Sequence, residues 1–279
     1  MAIRSALSTG VTGRIGIFDS GVGGTTVLRQ LHDLLPNHDL LYLADQARCP
    51  YGARPVAELR ALSAANTRWL LGHGAELIVV ACNTASAAAL HWLRHTFPDI
   101  PFVGMVPAVK SAVAQTRSGV VGVLATPATI EGELLDAVVM RWAGATQVVR
   151  QACPGLVEQI EAGALDTPAT VALLQDYVRP LLDAGADAIV LGCTHYPFLM
   201  SQIRQIAGPD VAIIDAAPAV ARQAVRVLHE RGWAVSGEAR SGILTYATTG
   251  DHESFARLLR QLGLPEGMVV AVEIEPLSC

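Results

Sequence analysis

The feature that most constrains this chain is a set of short runs that are apolar at nearly every position. Ile15–Phe18, Leu40–Ala44, Leu77–Ala81, Phe102–Val106, Val120–Ala125, Ala188–Leu191 and Ala212–Ile214 all read this way. A strand with one wet face alternates, whereas a strand covered on both faces does not, so these runs predict buried parallel strands. Between them lie amphipathic stretches, Thr25–Leu35, Val56–His73, Ala85–Thr96, Ala128–Trp142, Thr167–Ala184 and Pro218–Arg231, which predict crossover helices. Strand, helix, strand is the α/β pattern, and such folds bind ligands beyond the carboxyl ends of their strands.

Composition narrows the class further. Of 279 residues, 51% are apolar and 16% charged, yet no apolar run approaches the ~20 residues that span a bilayer. The surplus belongs in a globular core, and no membrane association is expected. Net charge is −5 without any Lys/Arg cluster, which removes the electrostatic footprint of a nucleic-acid binder. The first twenty residues lack a continuous apolar signal segment, so a cytoplasmic location is expected. Cysteines stand at 49, 82, 153, 193 and 279 with no C-x-x-C pair, which argues against a disulfide framework and a zinc-finger site. Neither a metal nor another cofactor is expected, and Lys110 is the only lysine available for a Schiff base.

A weak internal repeat carries more information. IGIFDSGVGG and later LIVVACNTAS in the first half match VVGVLATPAT and later AIVLGCTHYP in the second. Asp19 precedes Cys82 by 63 residues and Thr126 precedes Cys193 by 67. Two similar α/β units would then face each other across a cleft, each with a cysteine where a strand gives way to a helix. Free cysteine is commonly inert core filler. The polar residues that follow, Asn83-Thr84 and Thr194-His195, instead suggest thiols beside helix N-termini, where the dipole favours a thiolate. Two thiols flanking one pocket suit a two-base proton transfer, one removing a proton from carbon and the other returning one to the opposite face.

Other segments admit two readings. DSGVGG, Asp19 to Gly24, matches neither phosphate-loop pattern; it is either a tight strand-to-helix turn or a loop whose leading carboxylate serves a substrate ammonium or a thiol. CPYG, Cys49 to Gly52, is a turn, bare or with backbone amides that hold a carboxylate. His195 and Glu161 would by default be a satisfied histidine and a solvated acid.

Taken together, IGIFDSGVGG, DQARCPYG, VVACNTAS, VGMVPAV, CPGLVEQIEAG, LGCTHYP and TTGDHESF resemble the glutamate racemase family from about Ile15 to Leu264. The resemblance implies two similar α/β domains, related by pseudo-symmetry, with the active site in the cleft between them. It also implies a chain that crosses back, so that residues 1–107 plus 216–279 form one domain and 108–215 the other, with crossings at Pro107 and after Ile214. The catalytic thiols would be Cys82, acting on D-glutamate, and Cys193, acting on L-glutamate. Asp19 and His195 would assist them, with Asp45 and Glu161 as further acidic groups. Substrate contacts would fall on Asp19, Ser20, Pro50, Tyr51, Gly52, Asn83, Thr84, Thr126, Thr129, Thr194 and His195. The implied activity needs no cofactor, supplies D-glutamate for peptidoglycan, and leaves a homodimer open. One departure is Ala125-Thr-Pro-Ala-Thr129, where family members often have a glycine-rich G-T-x-G-T.

The chemistry fits such residues. Removing an α-proton without an electron sink demands a base held against the C–H bond and preorganised donors for the developing charge. A two-lobed amino-acid sensor would explain the hydroxyls and amides but gives no reason for two cysteines in matched positions. A relative acting on aspartate is a further reading.

Overall fold

The computed structural model describes residues 14–233 and 241–275. The first strands and helices alternate as β1 (Ile15–Asp19), α1 (Thr25–Leu34), β2 (Leu40–Ala44), α2 (Val56–Gly72), β3 (Leu77–Val80), α3 (Asn83–Thr96) and β4 (Phe102–Gly104). A second series follows: α4 (Val109–Val113), β5 (Val120–Ala125), α5 (Pro127–Ile130), α6 (Glu133–Trp142), β6 (Gln147–Ala152), α7 (Leu156–Glu161), α8 (Pro168–Asp183), β7 (Ala188–Leu191), α9 (Met200–Ala207) and β8 (Ala212–Asp215). The chain then adds α10 (Ala217–Glu230), β9 (Leu244–Thr248), α11 (His252–Gln261) and β10 (Met268–Ala271). Among the described residues, no helix is long and apolar enough to cross a membrane.

Among the described residues, ten strands make two all-parallel sheets, ordered β10-β9-β2-β1-β3-β4 and β6-β5-β7-β8. The segments β2-β1-β3-β4 and β6-β5-β7-β8 follow one topology, which is the pseudo-symmetry expected of the repeat. In each, the winding reverses between the two central strands, β1 and β3 or β5 and β7. Such a switch point opens a crevice at the carboxyl ends, where ligands bind. Asp19 and Cys82 stand at the first switch point, and Thr126 and Cys193 at the second.

Burial explains why the central strands read as unbroken apolar runs. Ile15 and Ile17 of β1, with Leu77 and Val79 of β3, enter one core layer, which continues to Leu124, Ile189 and Leu191 of the second sheet. The intervening Phe18, Ile78 and Val80 enter a separate layer against α2 and α3. Val121, Val123 and Val190 fill the outer core of the second domain. α10 packs beside α1, which returns the chain to the first domain, and β9 then pairs with β2.

Three differences from the expected elements have identifiable causes. Ala128–Trp142 is two helices, because Gly132 takes an extended conformation (ψ 136°) and caps α6. Strand β6 lies at a sheet edge, half-exposed, and its mixed sequence QVVRQA carries no continuous apolar signal, while β10, also an edge, is a four-residue apolar run, MVVA, that the expected elements do not include. β9 is fully buried, but its threonines interrupt the pattern in LTYAT.

The DSGVGG segment joins β1 to α1, as a strand-to-helix turn should, but none of its glycines has positive φ. They are there for room. A Cβ on Gly21 would overlap the Glu161 carboxylate, and one on Gly23 would overlap the His195 ring. A Cβ on Gly24 would lie 2.8 Å from both Ala81 O and Asp19 Cβ, where backbone must yield. Gly24→Ala is therefore expected to cost about 1–3 kcal/mol of stability in urea unfolding. Gly72→Ala, whose added methyl meets nothing within 4 Å at the end of α2, is expected to be neutral or slightly stabilising.

Candidate active site

The parallel strands bring their carboxyl ends together around one small, tightly packed cavity. Asp19, Ser20, Pro50, Tyr51, Gly52, Cys82, Asn83, Thr84, Thr126, Cys193, Thr194 and His195 line it, with Val157. Three of the residues singled out in the sequence stand one layer back. Thr129 supports Thr126 through a 3.0 Å hydroxyl contact, Asp45 lies behind Tyr51, and Glu161 lies behind His195.

Asp19 is fully buried and ties several pieces together. Its Oδ1 accepts from the Ser20 amide at 2.6 Å, and its Oδ2 accepts from the Gly24 amide and, at 3.1 Å, from Thr194 Oγ1. The Thr194 bond joins the two domains. Burial raises the Asp19 carboxyl above the usual carboxylate range, against the pull of His195 and the hydrogen bonds from Cys82 and the Ser20 amide.

Cys82 is the N-cap of α3, with extended backbone and Sγ accepting from the Ala85 amide at 3.4 Å. The helix N-terminus alone would favour a thiolate, as the sequence suggested. Burial, and then the adjacent Asp19 carboxylate, outweigh it and push the thiol well above its usual range. Cys82 therefore rests as a thiol beside a carboxylate that itself holds protons more tightly than usual.

Cys193 follows β7 and lies 3.8 Å from His195 Nδ1. The other ring nitrogen, Nε2, is 2.6 Å from Glu161 Oε1. Glu161 also accepts from the Val22 amide at 2.6 Å and from Gln46 Nε2 at 2.8 Å, both from the first domain. Burial disfavours the imidazolium, but the hydrogen bonds to Cys193 and Glu161 outweigh it and lift His195 well above the usual histidine range. Glu161 goes the other way: burial would raise it, but the bond and charge of His195, with Gln46 and Val22, hold it below its ordinary value. The two cysteines thus have opposite surroundings, a carboxylate beside one and a protonated imidazole beside the other.

The rest of the wall is built from donors. Thr84 Oγ1 lies 2.9 Å from Thr126 Oγ1, joining the domains at a further point. Thr126 caps α5 with Pro127 in its first turn, so the short helix forms without the glycines common in the family. Asn83 is buried, and neither its Oδ1 nor its Nδ2 has a hydrogen-bond partner among the described residues. An unpaired buried amide costs stability unless something pairs with it. Tyr51 donates to Asp45 at 2.6 Å and accepts from Asn66 at 3.1 Å, while Asp45 also accepts from Arg48 and Thr249.

Sequence reasoning missed Val157, Gln46 and Asn66. Asn66 left a readable trace, a polar residue on the apolar face of α2, where it is buried. Gln46 stood inside a quoted motif without a role. Val157 is one apolar residue among many and offered no signal.

Residues 23–224 match the family described as Asp/Glu/Hydantoin racemase, and with its relatives this two-sheet fold belongs among the racemases of the isomerase class. The glutamate racemase of Roseiflexus sp. (strain RS-1) is 64% identical over 251 residues, 90% of this chain and 92% of its own length. A glutamate racemase isoform from Bacillus anthracis superposes with a TM-score of 0.86 at 32% identity, over 94% of this chain and 98% of that one. The glutamate racemase of Francisella tularensis, solved in complex with D-glutamate, superposes with a TM-score of 0.81 at 27% identity, over 94% and 97%. The chain belongs to the glutamate racemase family.

The His195–Glu161 pair gives a direct test. Replacing Glu161→Gln removes the opposing charge, so His195 should release its proton at lower pH, with at least about tenfold weaker proton affinity. Histidine-selective NMR titration reads this, and an unchanged His195 titration would show that Glu161 does not hold the charge.

Proposed function

We propose that this protein interconverts L- and D-glutamate by two-base proton transfer between Cys82 and Cys193. The observation that carries the reading is the placement of these two thiols, from equivalent strands of two sheets, on a single cavity. The catalytic cleft lies between a domain of residues 1–107 plus 216–279 and one of residues 108–215. The product serves peptidoglycan synthesis, and the enzyme works in the cytoplasm.

The α-ammonium of the substrate sits beside Asp19. Its charge offsets that carboxylate and so lowers the cost of a Cys82 thiolate; the resting thiol gives its proton to solvent as the substrate binds, and the thiolate removes the α-proton of D-glutamate. Cys193, backed by His195 and Glu161, delivers a proton to the opposite face; from L-glutamate the roles reverse. The developing charge on the α-carboxylate is met by preorganised donors, the Asn83 amide and the Thr84 hydroxyl. Enclosure of the cavity excludes water and strengthens these contacts. Asn83, unpaired within the protein, gains its partners from the substrate.

Incubation with L-glutamate in D2O, followed by chiral separation and mass spectrometry, tests this reading. Early D-glutamate should carry α-deuterium while recovered L-glutamate stays protiated. Cys82→Ala and Cys193→Ala should each lose at least ~10³ in racemisation rate. Binding without turnover would make the protein a sensor, and deuterium in both pools from the start would make it a single-base enzyme.

Substrate length is a second test. The donors of Asn83-Thr84 and Thr194-His195, with the turn at Pro50–Gly52, hold two carboxylates at the separation set by glutamate. Aspartate would leave buried donors unpaired, so kcat/KM should favour glutamate by about 2–4 kcal/mol. Equal turnover of both acids would move the protein to a broader specificity.

A further inference from the structure

Cys49 is a nucleophilic side chain of the DQARCPYG segment that the proposed reaction leaves unused. It is half-buried in the turn between β2 and α2, with its Sγ 4.0 Å from Ser20 Oγ. Its sulfur, a carboxylate oxygen of Glu161 and an imidazole nitrogen of His195 all lie within 4.8 Å of one another. The three residues come from separate parts of the chain and from both domains.

Their location gives the cluster a way in. Cys49 and Glu161 line an outer cavity of about 320 Å³, between α7 and the first turns of α11. His195 lines the inner, catalytic cavity, and Pro50 and Val157 line both. The cluster is therefore part of the partition between the two, and a small cation reaches it from outside without entering the inner site.

One thiol, one imidazole and one carboxylate form a donor set that suits zinc and its softer relatives and disfavours magnesium or calcium. At a tetrahedral zinc these donors stand about 3.3–3.6 Å apart, so Cys49 need draw in by roughly 1 Å while His195 and Glu161 part slightly from their hydrogen-bonded distance. A water completes the fourth position. We propose that Cys49, Glu161 and His195 form a binding site for one zinc-class divalent cation, and that its occupancy switches the enzyme off. Coordination releases the Cys49 thiol proton and the proton shared by His195 and Glu161 to solvent. Burial and the nearby Glu161 and Asp19 carboxylates disfavour a free Cys49 thiolate, but a bound metal reverses that preference and deprotonates its thiol. With its shared proton gone and its ring held by the metal, His195 no longer backs Cys193. The inhibition rests on the racemase reading above, whereas the binding does not.

The test uses the reduced, chelator-treated protein. Cd²⁺ is titrated with ultraviolet sulfur-to-metal charge-transfer absorption and calorimetry as readouts, and glutamate racemisation is assayed in parallel against Zn²⁺. The expected result is one equivalent bound per chain with a charge-transfer band. Cys49→Ala should lose that band, bind at least about tenfold more weakly and shift Zn²⁺ inhibition by the same factor, with turnover in metal-free buffer unchanged. Cys82→Ala, inactive as a racemase, should keep the first equivalent and its band. Retention of the band and affinity in Cys49→Ala would overturn the site and assign the metal to the catalytic thiols. Absence of binding in the parent protein would overturn it as well. If the parent binds Cd²⁺ through Cys49 but does not racemise glutamate, the site stands and the functional reading falls.

Discussion

Two carboxylates, one buried and one half-buried, tie the domains together where both sheets end. Asp19 accepts from amides of its own loop and from Thr194 across the cleft. Glu161 accepts from Val22 and Gln46 across the cleft and holds His195 on its own side. The glycines of the first loop follow from this arrangement, since any side chain at Gly21 or Gly23 would displace Glu161 or His195. Close approach of two backbone segments, rather than an unusual dihedral angle, is what this loop requires.

The same carboxylates make the two halves electrostatically unlike although they are alike in topology. Asp19 raises the proton affinity of Cys82, while Glu161 keeps a proton on the His195 that stands beside Cys193. A topologically symmetric scaffold thus carries an asymmetric pair of acids and bases. In the proposed reaction between enantiomers, the two faces of the substrate carbon would meet different groups while the reaction still runs both ways. The asymmetry also exposes one side: Glu161 lines the outer cavity beside Cys49, whereas Cys82 is enclosed by its own helix and Asp19.

How far the fold was readable depends on where each strand lies. β1, β3, β5 and β7 are central, covered on both faces, and their apolar runs could hardly be anything else. β6 is an edge, and partial exposure lets Gln147, Arg150 and Gln151 stand among apolar residues, so the pattern dissolves. The helix expected over Ala128–Trp142 broke because one residue, Gly132, took an extended conformation that periodicity does not register.

By itself the sequence determined the parallel α/β class, the repeat, and the pairing of a cysteine with a polar dipeptide at the end of a strand in each half. These are local properties: burial on both faces and residue type at a strand end show in the order of residues. Tertiary structure decided what lies behind the cavity wall and what charge it carries. Glu161 reads as a solvated acid on a short helix until folding places it against Val22, Gln46 and His195, which are 139, 115 and 34 residues away along the chain. Cys82 reads as a thiolate favoured by a helix N-terminus until burial beside Asp19 reverses the balance. Proton affinities depend on desolvation and on charges brought close from distant segments, and neither quantity exists in the chain before it folds.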